Sequence, residues 1–311
     1  MYAAVVRSFD QPPQYTEFPL AESSNPDELV VDVVAAGLHP RVRSQADGSH
    51  YTSTDELPLV PGIDGVGRGP DGRLRYFVLP DTTLGSMAER TVVDRRRSVA
   101  VSEDADPVAL AAAMNPAMSS WVALRQRITF EPGQNVLILG ATGSAGQLAV
   151  QVARHLGAGQ VIAAGRHLER LARLKELGAT DTVGLEPEAL GSTSAEVDVV
   201  LDYLWGAPTE SALVAVVTGR RDRGRPLSWI EVGSVAGPTA SIPSAALRAA
   251  RLQLVGSGQG SVRTQDIVAE LAELAAVIAA GTFTIDTQSR PLSEVSRAWT
   301  DPTDRRVVLI P

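Results

Sequence analysis

The sequence has no cysteine among its 311 residues. This absence excludes disulfides, cysteine-ligated iron–sulfur clusters and thiolate zinc sites. Histidine is scarce as well, with four residues in the whole chain. Because structural and catalytic zinc sites are usually built from cysteine and histidine, we expect no metal site in this protein.

Long hydrophobic runs and basic clusters are also missing. No apolar segment approaches the roughly 20 residues needed to span a bilayer. The first seven residues have neither the basic start nor the cleavage site of a signal peptide, and we predict that they form a strand. A net charge of -8 argues against nucleic acid or an anionic membrane as the main partner. We therefore expect a cytoplasmic globular protein that binds neither.

The first 118 residues or so are predicted to be rich in β-structure. Runs of β-branched and aromatic residues alternate with turn clusters such as Gly69-Pro70-Asp71-Gly72. No helix is predicted before Asp106–Ala113. The predicted strands are Tyr2–Arg7, Leu29–Ala36, Arg73–Leu79 and Ala88–Asp94.

From about residue 119 the pattern changes to strands that alternate with helices, which predicts a doubly wound parallel sheet. The chain then ends with a predicted helix, Asp266–Ala280, and a short strand, Arg306–Ile310. We expect an α/β protein in which a β-rich domain (1–118, completed by 257–311) contains an inserted nucleotide-binding domain (119–256). The predicted strands of the inserted domain are Asn135–Leu139, Gln160–Ala164, Val197–Leu201, Ser228–Val232 and Leu252–Val255.

A glycine-rich motif directly follows the first of these strands and opens a helix. In this context one glycine permits a tight turn, another allows backbone to approach a pyrophosphate, and a third allows the helix to pack on the strand. The helix N-terminus then binds the phosphates. The motif is Gly140-Ala141-Thr142-Gly143-Ser144-Ala145-Gly146.

The choice between NADH and NADPH is predicted from the end of the second strand. NAD-preferring sites usually have an acidic residue about 20 positions after the last glycine, whereas this sequence has Gly165 followed by Arg166. A guanidinium pairs with a 2′-phosphate through two hydrogen bonds, and a carboxylate would repel it. We therefore predict NADPH as the cofactor.

Several segments together resemble the quinone oxidoreductases of the medium-chain dehydrogenase/reductase superfamily. The resemblance implies a GroES-like catalytic domain, a Rossmann domain, a homodimer, and hydride transfer to quinones or activated carbon–carbon double bonds. It also implies that Ser119, Gly233, Ser257 and Gly258 bind the cofactor with the glycine motif. Besides that motif, the segments are Leu57–Gly67, Gly85–Arg90, Ala112–Trp121 and Val197–Asp202.

The sequence departs from this family pattern at two places. The zinc branch of the superfamily has a Gly-His-Glu motif where this chain has Gly62-Ile63-Asp64, which favours chemistry without zinc. The family's Asn-Pro-x-Asp stretch is replaced by His39-Pro40-Arg41-Val42. Arg41 and Arg43 are interpreted either as surface arginines or as a basic end of the site for an anionic substrate.

Three residues are candidates for the catalytic end of the site. Tyr51 lies near a position where related reductases have a tyrosine beside the nicotinamide, and its hydroxyl is predicted to donate to an oxygen that gains charge. His50 is a second candidate acid, and water is a third source of the proton. Asn115 is expected either to orient the substrate or nicotinamide, or to cap a helix that starts at Pro116.

The predicted function is NADPH-dependent reduction of an electron-poor small molecule, such as a quinone or enone, without zinc. Two alternatives stay open on the sequence. One is an enoyl-thioester reductase. The other is a non-catalytic NADPH-binding sensor, because the altered segment at His39 is also compatible with a lost active site.

Overall fold

The computed structural model describes residues 1–20 and 22–311. Among these residues, no helix combines the length and the apolar character needed to cross a membrane. The strands in chain order are β1 (Tyr2–Val5), β2 (Gln14–Glu17), β3 (Glu28–Leu38), β4 (Asp64–Arg68), β5 (Leu74–Val78), β6 (Arg90–Asp94), β7 (Ser98–Ala100), β8 (Val136–Leu139), β9 (Val161–Ala164), β10 (Asp181–Val183), β11 (Val199–Asp202), β12 (Leu227–Glu231), β13 (Leu252–Gly256), β14 (Thr287–Pro291) and β15 (Arg306–Ile310).

The helices connect these strands. They are α1 (Pro40–Ala46), α2 (Pro107–Val122), α3 (Ser144–His155), α4 (Leu168–Arg173), α5 (Pro187–Thr193), α6 (Gly206–Gly219), α7 (Ser244–Ala249), α8 (Thr264–Ala279) and α9 (Val295–Thr300). A π-helical turn, Ala123–Arg127, continues α2.

The chain divides into two compact units, one formed by residues 1–115 and 267–311 and the other by residues 116–266. The divisions lie three residues before and ten residues after the predicted boundaries. Both fall inside a helix, α2 and α8 respectively, and a change of sequence character between strands and helices does not mark such points. The first unit is rich in β-strands, and the second unit, which lies between its two segments in the chain, alternates strands and helices.

Residues 116–266 form a six-stranded parallel sheet in the order β10-β9-β8-β11-β12-β13. Every residue of β8, β9 and β11 is buried, which explains why these strands are continuous apolar runs. Five of the six strands were predicted from such runs. The exception, β10, has only three residues and begins with an exposed aspartate.

The other unit contains a seven-stranded sheet in the order β14-β15-β3-β4-β5-β7, with β6 also paired to β3. The long strand β3 organises this sheet because it pairs with β4, β6 and the C-terminal β15. Through its pairing with β3, the C-terminal strand β15 is part of this sheet. A separate hairpin-like pair is formed by β1 and β2.

Helix α1 corrects the prediction that no helix precedes residue 106. It begins at Pro40, which suits the first turn of a helix because its missing N–H would have no partner there. Val42 and Ala46, four residues apart, are its buried apolar positions. Two apolar positions, separated by the polar residues 43–45, are too few to produce a recognisable helical period.

A buried polar network lies where α1 meets β4 and β5. The imidazole of His39 and the carboxylate of Asp64 approach to 3.0 Å between Nε2 and Oδ1, and the Tyr76 hydroxyl donates to the other carboxylate oxygen at 2.8 Å. Burial lowers the pKa of His39 despite the neighbouring carboxylate, so the imidazole is neutral near pH 7. The substituted His39 is therefore part of the interior of this unit.

Candidate functional site

The ends of five parallel strands lie in one row across the sheet of residues 116–266. The pairing registers connect the last residues of neighbouring strands directly, from β9 through β8, β11 and β12 to β13. Ligands of open parallel sheets bind beyond these carboxyl ends, where the strand order reverses. This reversal occurs between β8 and β11. The row consists of Ala164, Leu139, Asp202, Glu231 and Gly256.

The glycine motif follows β8 in this row. Gly140 has a φ of 82°, a backbone conformation that glycine adopts without steric cost. Gly146 lies in the first turn of α3, where a Cβ would come within 2.4 Å of the Gly140 carbonyl oxygen. Gly143 is the N-cap residue of α3, and no side chain caps the first N–H groups of this helix. A Cβ on it would meet only that carbonyl oxygen, at 3.6 Å.

These three positions fit a dinucleotide. Gly140 makes the turn, Gly146 allows α3 to pack against the loop, and the space beside Gly143 leaves room for a pyrophosphate. The first N–H groups of a helix have no partner within the helix, so those near Ser144 and Ala145 are available to phosphate oxygens. Thr142 is held in the loop because its carbonyl accepts a hydrogen bond from the Gln147 side chain at 3.1 Å.

The residues after β9 fit the adenosine end of NADPH. Gly165 is buried, and a Cβ on it would stand 3.2 Å from the Thr142 methyl group, so the β8 and β9 loops are in contact. The next residue, Arg166, is exposed. Within the described part of the chain it has no acidic partner, whereas many other arginines are ion-paired. Its guanidinium is therefore available to a phosphate.

The loop after β11 is fixed by the buried carboxylate of Asp202. One carboxylate oxygen accepts from the backbone N–H groups of Leu204 and Trp205, at 2.9 and 3.1 Å. The other accepts from the Thr209 hydroxyl of α6 at 2.6 Å and from the Trp229 indole N–H of β12 at 3.0 Å. Trp205 has a φ of 53°, which is unfavourable for a bulky residue. The hydrogen bonds that the Asp202 carboxylate accepts from this loop hold the conformation in place.

The same loop contributes a residue that the sequence analysis missed. Tyr203 is buried, and its hydroxyl lies 3.0 Å from the hydroxyl of Ser119. A Cβ on Gly140 would lie 3.3 Å from the Tyr203 Cβ, and one on Gly233 would lie 3.5 Å from the Tyr203 carbonyl oxygen. Three predicted cofactor residues therefore surround Tyr203. Tyr203 directly follows a strand of the parallel sheet, and this position was the feature of the sequence that could have identified it as a site residue.

The loop after β13 contains the last two predicted cofactor residues. The Ser257 N–H donates to the carbonyl oxygen of Glu231 at 2.7 Å, which continues the β12–β13 ladder. Gly258 donates to the Ser261 hydroxyl at 2.8 Å. Arg127 binds the carbonyl oxygens of Gly256 and Ser261 at 2.7 and 3.0 Å. This arginine, from the π-helical turn after α2, therefore shapes the loop.

The candidate catalytic residues His50 and Tyr51 lie in the other unit. Their rings are 4.2 Å apart between centroids, and the Tyr51 side chain is 73% exposed. The Thr52 N–H donates to His50 Nδ1 at 3.2 Å. Burial and the positive charge of Arg41 lower the pKa of His50 to about 4, so this imidazole is neutral near pH 7. A group with so low a pKa carries little of the acid form at neutral pH.

Of the two nearby arginines, Arg41 fits neither interpretation. Arg41 forms an ion pair with Asp81 at 2.5 Å, and the two side chains are only 15% and 6% exposed. Because its charge is compensated inside the unit, Arg41 is neither a solvated surface residue nor a free site for an anion. Arg43 packs 5.2 Å over the ring of Trp299. The partners lie far away in sequence, which is why the local pattern did not reveal them.

Asn115 is not the cap of a helix that starts at Pro116. Both residues lie inside α2, which begins at Pro107. Pro116 interrupts the helical hydrogen bonding because it has no N–H to donate. The expected contact of Asn115 with a substrate or nicotinamide stays a prediction.

The described residues do not present a ligand set for zinc. The described residues contain no group of three or more histidine, cysteine, aspartate or glutamate side chains arranged to hold a metal ion. Asp64 lies in the region that corresponds to the zinc motif. Its two carboxylate oxygens are hydrogen-bonded to the His39 imidazole and the Tyr76 hydroxyl. A tetrahedral zinc site needs three or four ligands free to coordinate.

Comparisons with known proteins support a common family. The model of a family described as zinc-binding dehydrogenase matches residues 145–276, a segment that does not include Asp64. The chain is 32% identical, over 100% of both chains, to a protein of Emericella nidulans named as a probable NADPH-dependent quinone reductase. It is 27% identical to the chloroplastic NADPH-dependent alkenal/one oxidoreductase of Arabidopsis thaliana, over 57% of this chain and 50% of that protein.

The fold is similar to that of solved reductases. The quinone oxidoreductase of Thermus thermophilus, whose crystal structures include a complex with NADPH, superposes with a TM-score of 0.82. The two sequences are 25% identical, and the match covers 100% of each chain. The similarity therefore extends to both structural units.

Two glycines of the motif allow a paired test of the site. We expect Gly146→Ala to destabilise the protein by about 1–3 kcal/mol, because the new methyl group overlaps backbone atoms. Gly143→Ala meets no such obstacle, so it should keep the wild-type melting temperature and weaken NADPH binding on the order of tenfold by narrowing the pyrophosphate space. Thermal melts and NADPH fluorescence titrations measure the two effects. Unchanged NADPH affinity in Gly143→Ala would contradict this position for the pyrophosphate.

Proposed function

Because the chain belongs to the quinone oxidoreductase-like branch of the medium-chain dehydrogenase/reductase superfamily, we propose that it reduces quinones, enones or other activated double bonds with NADPH. The observation that carries the proposal is the row of strand ends at which the glycine motif, Arg166 and Tyr203 follow neighbouring parallel strands. Ser119 joins this row through its contact with Tyr203. In this proposal residues 116–266 are the Rossmann cofactor-binding unit. The remaining residues are the GroES-like catalytic unit.

Each part of the cofactor has a place in this row. The exposed guanidinium of Arg166 pairs with the 2′-phosphate, the N-terminus of α3 binds the pyrophosphate, and the nicotinamide half extends toward β11, β12 and β13. Bound NADPH supplies the hydride. The protein contributes fixed N–H donors and side-chain hydroxyls that orient the two halves of the dinucleotide.

The substrate class follows from what the chain can stabilise. Zinc normally polarises an alcohol or carbonyl oxygen as a Lewis acid, and residues 1–20 and 22–311 contain no group of side chains that could form its ligand set. We therefore propose hydride transfer without zinc to acceptors that are already electron-poor. Quinones and enones meet this requirement because the electrons of the hydride are delocalised onto oxygen.

The proton that completes the reduction comes either from a side chain or from water. Tyr51 is the proposed side-chain donor, since it is exposed and its ring packs beside His50. His50 is the weaker candidate because of its lowered pKa. The proposed compartment is the cytoplasm, which cell fractionation with detection of the protein would test.

A homodimer is also part of the proposal. Strand β13 lies at one end of the six-stranded sheet, and its residues are exposed or half-buried. An edge strand presents N–H and C=O groups that can pair with another strand. Leu254 adds an apolar side chain that is 36% exposed on this edge, which favours association with a second copy of the chain.

The proposed reaction is tested by following NADPH oxidation with a panel of quinones, enones and enoyl thioesters. We expect turnover of quinones or enones that is insensitive to chelators, and less than stoichiometric zinc by elemental analysis. Turnover restricted to enoyl thioesters would support the alternative reductase. NADPH binding without turnover of any acceptor would support the sensor, and stoichiometric zinc required for activity would contradict the metal-free mechanism.

Arg166→Asp tests the preference for NADPH. Loss of a charge-assisted hydrogen-bond pair and addition of a repelling carboxylate should weaken NADPH on the order of 10- to 100-fold, with little effect on NADH. Dissociation constants for both cofactors provide the measurement. Arg173→Asp, which makes the same charge change at the last residue of α4, is the matched control. Equal losses for NADPH and NADH would refute the phosphate contact.

The dimer is tested at Leu254. Light scattering coupled to size exclusion should give a dimer for the wild type and a monomer for Leu254→Lys, because a charge on an edge strand opposes pairing. Thr182→Lys places the same charge on β10, at the opposite end of the sheet, and should leave the dimer intact. A monomeric wild type would contradict the proposed assembly, and a dimeric Leu254→Lys would contradict this interface.

A further inference from the structure

The hydrogen bond between Ser119 and Tyr203 has a direction that the surrounding contacts determine. The Ser119 hydroxyl donates to the carbonyl oxygen of Pro116 at 2.7 Å. A serine hydroxyl has one hydrogen, so the 3.0 Å contact between Ser119 and Tyr203 is a hydrogen bond that Tyr203 donates. The Ser120 hydroxyl likewise donates to a carbonyl oxygen three residues earlier, that of Ala117, at 3.1 Å. Both hydrogens of the Ser119–Tyr203 pair are therefore committed within the protein.

With its hydrogens committed, the pair can only accept further hydrogen bonds. A lone pair remains on the Ser119 oxygen and others on the Tyr203 oxygen. Tyr203 is 8% exposed, whereas Ser119 is half-buried and stays reachable. Because packing fixes the tyrosine ring, the two oxygens form a preorganised acceptor site that costs little conformational entropy on binding.

The position of this acceptor pair identifies what it would bind. Tyr203 follows β11, which lies on the opposite side of β8 from β9 and Arg166. If the 2′-phosphate pairs with Arg166 and the pyrophosphate lies at α3, the nicotinamide half continues to the β11 side. That half carries two kinds of hydrogen-bond donor, the ribose hydroxyls and the carboxamide NH2 group.

We propose that Tyr203 is a positioning residue for the nicotinamide half of NADPH, holding Ser119 so that the two oxygens together accept a hydrogen bond from that half. The inference rests on the proposed NADPH site. The acceptor arrangement distinguishes it from a proton-donating role. Burial raises the pKa of Tyr203 to about 12, and so weak an acid is a poor source of the proton for the reduced substrate.

The test is a double-mutant cycle on equilibrium binding. We expect Tyr203→Phe and Ser119→Ala each to weaken NADPH binding about 3- to 10-fold, as for loss of one neutral hydrogen bond. Since Tyr203 acts through Ser119, the double variant should lose little more than either single variant. Dissociation constants from NADPH fluorescence, measured in the absence of acceptor, supply the readout.

Two further measurements separate this role from a general structural one. Tyr76→Phe removes another buried tyrosine hydroxyl, the one that donates to Asp64, and should leave the NADPH dissociation constant unchanged. The reduced 3-acetylpyridine analogue of NADPH has a methyl group in place of the carboxamide NH2. A Tyr203→Phe loss for NADPH but not for this analogue identifies the carboxamide as the donor, and equal losses identify a ribose hydroxyl.

The outcomes distinguish the inference from the function on which it rests. Wild-type affinity for NADPH in Tyr203→Phe, or additive losses in the double variant, would overturn the positioning role while NADPH binding by the wild type upholds the cofactor site. Failure of the wild type itself to bind NADPH would instead refute the proposed function.

Discussion

The geometry of the candidate site depends on the buried carboxylate of Asp202. It accepts four hydrogen bonds, which connect the loop after β11 to α6 and to β12. A buried carboxylate is costly unless it is satisfied in this way, and each hydrogen bond to a charged group contributes about 1.5–3 kcal/mol. The same contacts hold Trp205 at its unfavourable φ and set the direction in which Tyr203 leaves the strand. The orientation of the Tyr203 hydroxyl toward Ser119 is therefore supported by a carboxylate whose own hydrogen bonds are all to protein donors.

The parallel sheet explains why scattered residues can form one site. Five strands end in the same row, so a residue that directly follows any of them lies near residues that follow its neighbours. Gly140, Gly165 and Tyr203 are separated by tens of residues in the chain and yet occupy adjacent loops. The glycines have different roles in this arrangement: Gly146 accommodates protein atoms, and Gly143 leaves space for a ligand. The paired alanine substitutions separate these two roles.

The sequence was sufficient for those features that depend on local pattern. Fully buried strands must be continuous apolar runs, and a glycine motif between a strand and a helix has few alternative uses, so the parallel sheet and its phosphate loop were predictable. Features that depend on distant partners were not. Arg41 pairs with Asp81, and Tyr203 contacts Ser119, which lies 84 residues earlier in the sequence. Strand β10 was missed because three residues are too few to show a periodic pattern. The cap interpretation of Asn115 was wrong because a proline inside α2 resembles the start of a helix.

The altered segment at His39 departs from the family pattern, and the structure shows where its polar side chains find their partners. His39 interacts with Asp64, and Arg41 pairs with Asp81, so the unusual polar groups of the altered segment are satisfied within their own unit. At the strand ends of residues 116–266 the situation is reversed: the oxygens of Ser119 and Tyr203 retain lone pairs, and Arg166 is exposed. An NADPH-binding sensor would need the same open groups, so they indicate a cofactor site in either case. The altered segment is a repacked interior, and turnover of an acceptor is the property that separates a reductase from a non-catalytic sensor.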